Sequence, residues 1–238
     1  MRVFLTGDCH CNIDWTSLVM FCRDNADTLT KDDLIVVLGD FGAFWTSHGK
    51  TKEERKVLRF YEKAPCQIAF VEGNHENFPV INSFPIETRW GGTVGVGHTN
   101  VYHLKRGQIY TWGKSKVFTF GGGDSLDKEY RIPFLHWWPE EQPSAKEMDF
   151  ALENLEKHNN SVDYILTHDL PRDILKDIFG SGAGNKSTIS KFFDVIWTQT
   201  KFYRWFAGHV HRELTLAHGK VFTLYNNVIE LDVNNEME

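Results

Sequence analysis

The feature that most constrains this chain is the way its apolar runs end. Val3-Phe4-Leu5 stops at Thr6-Gly7-Asp8, Leu34-Ile35-Val36-Val37-Leu38 at Gly39-Asp40, and Ile68-Ala69-Phe70-Val71 at Glu72-Gly73-Asn74-His75. Further on, Tyr164-Ile165-Leu166 ends at Thr167-His168, and the run from Tyr203 to Ala207 ends at Gly208-His209-Val210-His211. Short apolar runs without polar alternation predict strands covered on both faces. In open α/β sheets, ligand sites gather at the carboxyl ends of such strands. The repeated ending therefore directs chemically capable side chains toward a common rim.

Between these runs the sequence predicts helices. Asp14 is placed to cap one, with Ile13 and Leu18 at the two staple positions around it. Lys52 to Lys63 carries Val57, Phe60 and Tyr61 at helical spacing, its charges forming a solvated face. From Thr93 to Phe120 the composition turns to β-formers punctuated by Lys105-Arg106-Gly107-Gln108, which predicts antiparallel hairpins. Ser144 and Glu147 have capping-box spacing and open a helix with Met148, Ala151, Leu152 and Leu155 on one face. Ser187 to Thr198 reads as a last helix, and β-rich sequence continues to Val233. The expected fold class is α/β with α+β character: one domain over residues 1–238, built of two packed mixed β-sheets flanked by helices.

Composition narrows the partners. A formal net charge of −6 counts against general affinity for nucleic acid or anionic membranes, which reward basic surfaces. A small phosphorylated substrate is still compatible, because bound cations reverse the local sign. The opening MRVFLTGD turns polar too early for a signal peptide, and no run reaches membrane-spanning length. Cys9, Cys11, Cys22 and Cys66 lack metal or disulfide-framework spacing, which points to a reducing cytoplasm.

Of eleven histidines, His10, His75, His168, His209 and His211 directly follow apolar runs, accompanied by Asp8, Asp40 and Asn74. Any one fragment alone is more often a satisfied core or surface group than a ligand. The coincidence at successive strand ends is what raises the reading. Hydrolysing a phosphate ester brings an anionic nucleophile to an anionic centre, and two cations about 3.5–4 Å apart solve that problem. Mixed oxygen and nitrogen donors suit manganese first, with iron or zinc as alternatives, whereas an all-oxygen cage suits magnesium or calcium. If Asp8-Cys9-His10 and His209-Val210-His211 are extended, alternate residues face one metal while Cys9, Cys11 and Val210 turn away.

Together, Gly7-Asp8-Cys9-His10, Gly39-Asp40, Gly73-Asn74-His75-Glu76, His168 and Gly208-His209-Val210-His211 resemble the five ordered motifs of the calcineurin-like metallophosphoesterase superfamily. The resemblance spans residues 8 to 211 and implies a two-sheet sandwich with outer helices. It implies that Asp8, His10 and His211 hold one divalent metal, that Asn74, His168 and His209 hold the second, and that Asp40 bridges them. His75 would be a transition-state stabiliser or general acid, oriented by Glu76, beside a metal-bridging hydroxide that attacks phosphorus. Two departures stand out. Cys11 replaces the glycine that often follows the first histidine, and Phe41-Gly42-Ala43 replaces the phosphate-binding arginine segment of the superfamily's protein phosphatases. The second counts against a phosphoprotein substrate.

Several other features carry less. Gly180 to Ser187 looks like a phosphate loop but has Asn185 before Lys186 and follows a helical pattern, so a loop leading into a helix is expected. Gly121-Gly122-Gly123 reads as a tight turn. Arg131 is a candidate phosphate ligand, with a surface ion pair as its alternative. Trp137 and Trp138 would wall a substrate pocket or pack in the core. Two rival functions share the fold: an inactive interaction scaffold, which should have lost ligands, and a nuclease, which should show a basic groove.

Overall fold

The computed structural model describes residues 1–46 and 49–234. Its first sheet has seven strands in the order β13-β1-β2-β3-β6-β5-β4, namely Val228–Leu231, Val3–Thr6, Leu34–Leu38, Gln67–Val71, Val101–Leu104, Gly92–His98 and Ile86–Arg89. The second has six in the order β11-β12-β10-β9-β8-β7: Leu214–Leu216, Val221–Thr223, Arg204–Ala207, Tyr164–Thr167, Ser115–Phe120 and Gln108–Trp112. In both sheets the central strands run parallel, β1, β2, β3 and β6 in one and β8, β9, β10 and β12 in the other, with antiparallel strands at the edges. The expected architecture of two mixed sheets with outer helices is the one observed.

Strand alternation explains why these runs contain no polar residues. Val3, Leu5, Leu34, Val36, Leu38, Ala69 and Val71 face the second sheet and meet Tyr110, Val117, Tyr164, Leu166 and Phe206. The intervening Phe4, Ile35, Val37, Ile68 and Phe70 face outward, beneath α1 (Thr16–Asp24) and α2 (Lys52–Lys63), where Leu18, Cys22, Val57, Leu58 and Tyr61 cover them. On the far side, Phe118, Phe120, Ile165 and Trp205 lie under α4 (Ala145–Lys157), α5 (Arg172–Phe179) and α6 (Thr188–Gln199). Each large apolar side chain withdrawn in this way contributes about 1.5–3 kcal/mol, so a charge at Val36 would break the sandwich at its middle.

Three local expectations change. The segment from Thr93 to Phe120 does form the hairpins β5–β6 and β7–β8, but β6 also pairs parallel with β3, and the Lys105–Gln108 turn carries the chain from one sheet to the other. The Ser144–Glu147 capping box forms as expected. Asp14 does not cap α1: the helix begins at Thr16 behind Trp15, without a side-chain cap. Ile13 is 76% exposed and staples nothing. The Asp14 carboxylate is instead 2.9 Å from His10 Nδ1, a longer-range partner that outcompetes the cap.

Candidate metal centre

Because the central strands of each sheet are parallel, five carboxyl ends open at one rim. Asp8 and His10 follow β1, Asp40 follows β2, Asn74 and His75 follow β3, His168 follows β9, and His209 and His211 follow β10. One ligand atom from each of Asp8, His10, Asp40 and His211 lies within 4.8 Å of the others. Asp40 Oδ2 is 3.1 Å from His10 Nε2 and 3.5 Å from His168 Nε2, so it stands between two groups of donors. His168 Nε2 is in turn 3.0 Å from Asn74 Oδ1 and 3.2 Å from His209 Nδ1. All seven residues that the sequence pattern nominates as ligands therefore meet.

They meet by a different local geometry from the extended one expected. His10, Cys11, Asp40, His209 and His211 have φ of 42°, 62°, 47°, 67° and 50°, in the left-handed region that non-glycine residues seldom occupy. The segments are tight turns, and strain concentrates where the ligands gather. Cys9 and Val210 still turn into the apolar cores, as anticipated. Cys11 does not turn away; it is half-buried and lines the cleft beside His10, its thiol pushed up to about 11 by burial and the Glu54 carboxylate. Its positive φ supplies a reason for glycine being common there. The strand-end glycines answer to crowding: a β-carbon on Gly73 would sit 2.0 Å from Asp40 Oδ1, and one on Gly208 would sit 2.3 Å from Asp8 Oδ1.

The hydrogen bonds around the rim aim lone pairs inward. His168 Nδ1 donates to the Leu38 carbonyl at 2.7 Å, and Asp14 holds His10 Nδ1, so both Nε2 atoms face the centre. The Asn74 amide nitrogen donates to Ser125 Oγ at 3.0 Å, and that hydroxyl donates to the wholly buried Glu141 at 2.5 Å. Asn74 must then present its oxygen to His168. Asp8 Oδ1 accepts from the His209 amide at 3.0 Å, while the buried Oδ2, 2.9 Å from His211 Nε2, has no hydrogen-bond partner among the described residues.

Two buried carboxylates, Asp8 and Asp40, at one rim call for positive charge. Burial lowers the basicity of His10 and His168, yet the neighbouring Asp40 and Asp8 outweigh it and carry them to about 9 and about 10. Asp40 is held well below the usual carboxylate range: burial opposes this, and His168 and His10 overcome it. The donor set of imidazole nitrogens, carboxylate oxygens and one amide oxygen fits divalent cations of the manganese, iron and zinc group.

His75 sits at the edge of this cluster, its ring centroid 5.6 Å from that of His10, and its amide donates to Asp40 Oδ1 at 2.8 Å. Burial lowers its basicity, and the positive charge of Arg131 adds to the effect. Arg131 does reach the site, with Nη1 2.9 Å from His75 Nδ1, and it also makes the anticipated ion pair, gripping both oxygens of Asp127 at 2.7 and 2.8 Å. Both side chains line a cleft of about 510 Å³ with His10, Asp40, Ile13 and Trp45. Glu76 does not orient His75: its buried carboxylate accepts the amides of Gly42 and Gly73 and so clamps two rim loops. Trp138 packs in the core, edge-on to Trp45. Gly180 to Ser187 is a turn between α5 and α6, as the failed phosphate-loop pattern suggested. The sequence reading gave Asp14 a different role and did not single out Ser125 or Glu141, since no spacing rule ties them to the motifs they support.

Among the described residues no helix is long and apolar enough to cross a membrane. No curated protein sequence matches the chain significantly. One solved structure, described as "Putative 5'-Nucleotidase from Staphylococcus aureus in complex with alpha-ketoglutarate", superposes with a TM-score of 0.52 at 12% identity over 94% of this chain and 48% of its own. This chain thus spans about half the length of that protein. A second, the phosphopantetheinyl hydrolase of Mycobacterium tuberculosis, gives a TM-score of 0.45 at 14% identity over 94% and 90% of the two chains. The calcineurin-like phosphoesterase family model matches residues 1–213, which takes in every rim loop described above. The chain belongs to the calcineurin-like phosphoesterase family.

Proposed function

We propose that this chain hydrolyses the phosphate ester of a small substrate with two divalent cations, manganese first among them. The observation that carries the reading is the convergence on His168 Nε2 of three further ligand atoms, Asn74 Oδ1, His209 Nδ1 and Asp40 Oδ2, at 3.0, 3.2 and 3.5 Å. Asp8, His10 and His211 would hold one cation and Asn74, His168 and His209 the other, with Asp40 between the two groups. When bound, the cations supply charge for the phosphate oxygens and acidify water to a nucleophile at neutral pH.

The remaining chemistry falls to His75 and Arg131. A guanidinium has only donors to offer, so His75 Nδ1 accepts from Arg131 and the imidazole proton resides on Nε2. That Nε2–H is the donor for a phosphate or leaving-group oxygen, which favours transition-state stabilisation over strong-acid catalysis. Asp127 holds Arg131 in place while its charge faces the incoming phosphate. The four cysteines lack the spacing of a disulfide framework, which favours a cytoplasmic setting. A net charge of −6 disfavours nucleic acid as substrate.

The test is hydrolysis of p-nitrophenyl phosphate and bis-p-nitrophenyl phosphate by manganese-supplemented protein, with metal analysis of the same sample. Turnover of at least one, lost on chelation, is expected. Protein that binds no manganese and turns over neither overturns the reading.

A further inference from the structure

Two clefts flank the centre and share no lining residue. The first opens beside His10, Asp40 and His75. The second, about 620 Å³, has His209 in its wall together with Leu126, Leu175, Phe179 and Ala183. The succession of close approaches from His10 through Asp40 and His168 to His209 joins the two clefts by way of the centre. A single stretch of chain serves both sides: Ser125 holds Asn74, Leu126 lines the second cleft, and Arg131 lines the first against His75.

A phosphomonoester has one organic arm and needs one such cleft. On this chain the flank left over is apolar: Leu126 is 91% exposed and Phe179 55%, surface that a bound group would remove from water. The carboxylates of that cleft are already engaged. Asp169 accepts from the Leu170 amide at 2.7 Å and from Ser190 Oγ at 3.3 Å. Asp124 accepts from Lys128 Nζ at 3.0 Å and from Gln142 Nε2 at 3.3 Å. Their negative charge disfavours a second anionic group.

We infer that the substrate is a phosphodiester with two uncharged organic arms, one in each cleft, and that the cleft beside His209 takes an apolar arm. This rests on the phosphoesterase reading above. In the reaction, the oxygen of water forms a bond to phosphorus and the bond from phosphorus to one ester oxygen breaks. That arm leaves as an alcohol with a proton, and the other stays on the phosphomonoester product.

The test compares second arms. With manganese-supplemented protein, p-nitrophenyl phenyl phosphate should exceed p-nitrophenyl methyl phosphate in kcat/KM by about 10-fold or more, the scale of a well-filled apolar pocket. By titration calorimetry, without turnover, diphenyl phosphate should bind more tightly than methyl phenyl phosphate by a similar factor. The double variant Leu126→Ala/Phe179→Ala changes two exposed side chains, and its melting temperature checks the fold; both ratios should collapse to within about two-fold. Equal values for the two arms in the unaltered protein, or a preference that survives in the variant, overturns the inference. Hydrolysis of p-nitrophenyl phosphate alone sinks this inference and leaves the phosphoesterase reading standing. Failure with every ester removes both.

Discussion

Two buried polar clusters lie close together in this molecule and are built on opposite principles. At the end of β3, Glu72 accepts from His103 Nε2 at 2.7 Å and forms an ion pair with Arg106, whose Nε is also 2.7 Å away. Arg106 donates from Nε to the Gly121 carbonyl, from Nη1 to Glu147 and from Nη2 to the carbonyls of Glu140 and Glu141. Glu72 drops to about 2, burial opposing and His103 and Arg106 prevailing. Two residues further along the chain, Asn74 joins a cluster in which imidazole nitrogens and carboxylate oxygens crowd one point and Asp8 Oδ2 has no hydrogen-bond partner among the described residues. Apart from His103 Nδ1, which has no partner among the described residues, the first cluster matches charge with charge and holds the fold together; the second crowds ligand atoms around one point, as a site that receives a cation would.

That contrast makes separable demands. The largest effect should come from Asp40→Asn, which removes the carboxylate shared between the two donor groups: manganese-dependent turnover should fall at least about 1,000-fold, with bound metal reduced. Full activity with full metal content would remove Asp40 from its bridging position. Arg106→Ala should act on the other cluster alone. It strands Glu72 as a buried charge and should cost about 3–5 kcal/mol in urea unfolding, while folded protein keeps its metal content. Equal loss of metal would show that the clusters are one unit. His75→Gln should lower kcat about 100- to 1,000-fold, read by steady-state kinetics, with metal binding retained.

Smaller effects sharpen the boundary. Ser125→Ala frees the Asn74 amide to rotate and should weaken manganese affinity about 10- to 100-fold by calorimetric titration. At the opposite end of the sandwich, Asp33 accepts from the Arg2 amide and guanidinium and from Thr30. Burial raises its pKa, but Arg2 and Thr30 bring it below the usual carboxylate value. A depressed folded value means that the contribution is complete above the unfolded pKa of about 3.9 and disappears as pH falls below it. Asp33→Asn should therefore cost about 1–3 kcal/mol at neutral pH and progressively less toward pH 2, by chemical denaturation. A constant difference across that range would deny the ion pair its role.

The fold and the meeting of the seven rim residues were readable because both depend on local pattern. Uninterrupted runs such as Leu34 to Leu38 require cover on both faces, and a glycine before Asp40 or His209 marks where the chain must leave the sheet. The errors share a cause. Asp14 obeys every local rule for a helix cap but is taken by His10, and Glu76 neighbours His75 in sequence while binding Gly42 and Gly73. Alternation chose the directions of Cys9 and Val210 correctly and that of Cys11 wrongly, because left-handed turns replace extended chain at the rim. Glu72, His103 and Arg106 come from three separate elements, and no spacing in the sequence announces that they meet.

Asp8, His10, Asp40 and Asn74 hang from the first sheet, and His168, His209 and His211 from the second. A cation seated among them would fasten the two leaves of the sandwich at one margin, like the clasp of a book. Part of its binding energy would then be stored as mechanical cohesion between leaves. Hydrogen exchange should register this as slowing of the amides at the carboxyl ends of β2 and β9, fading toward their far ends.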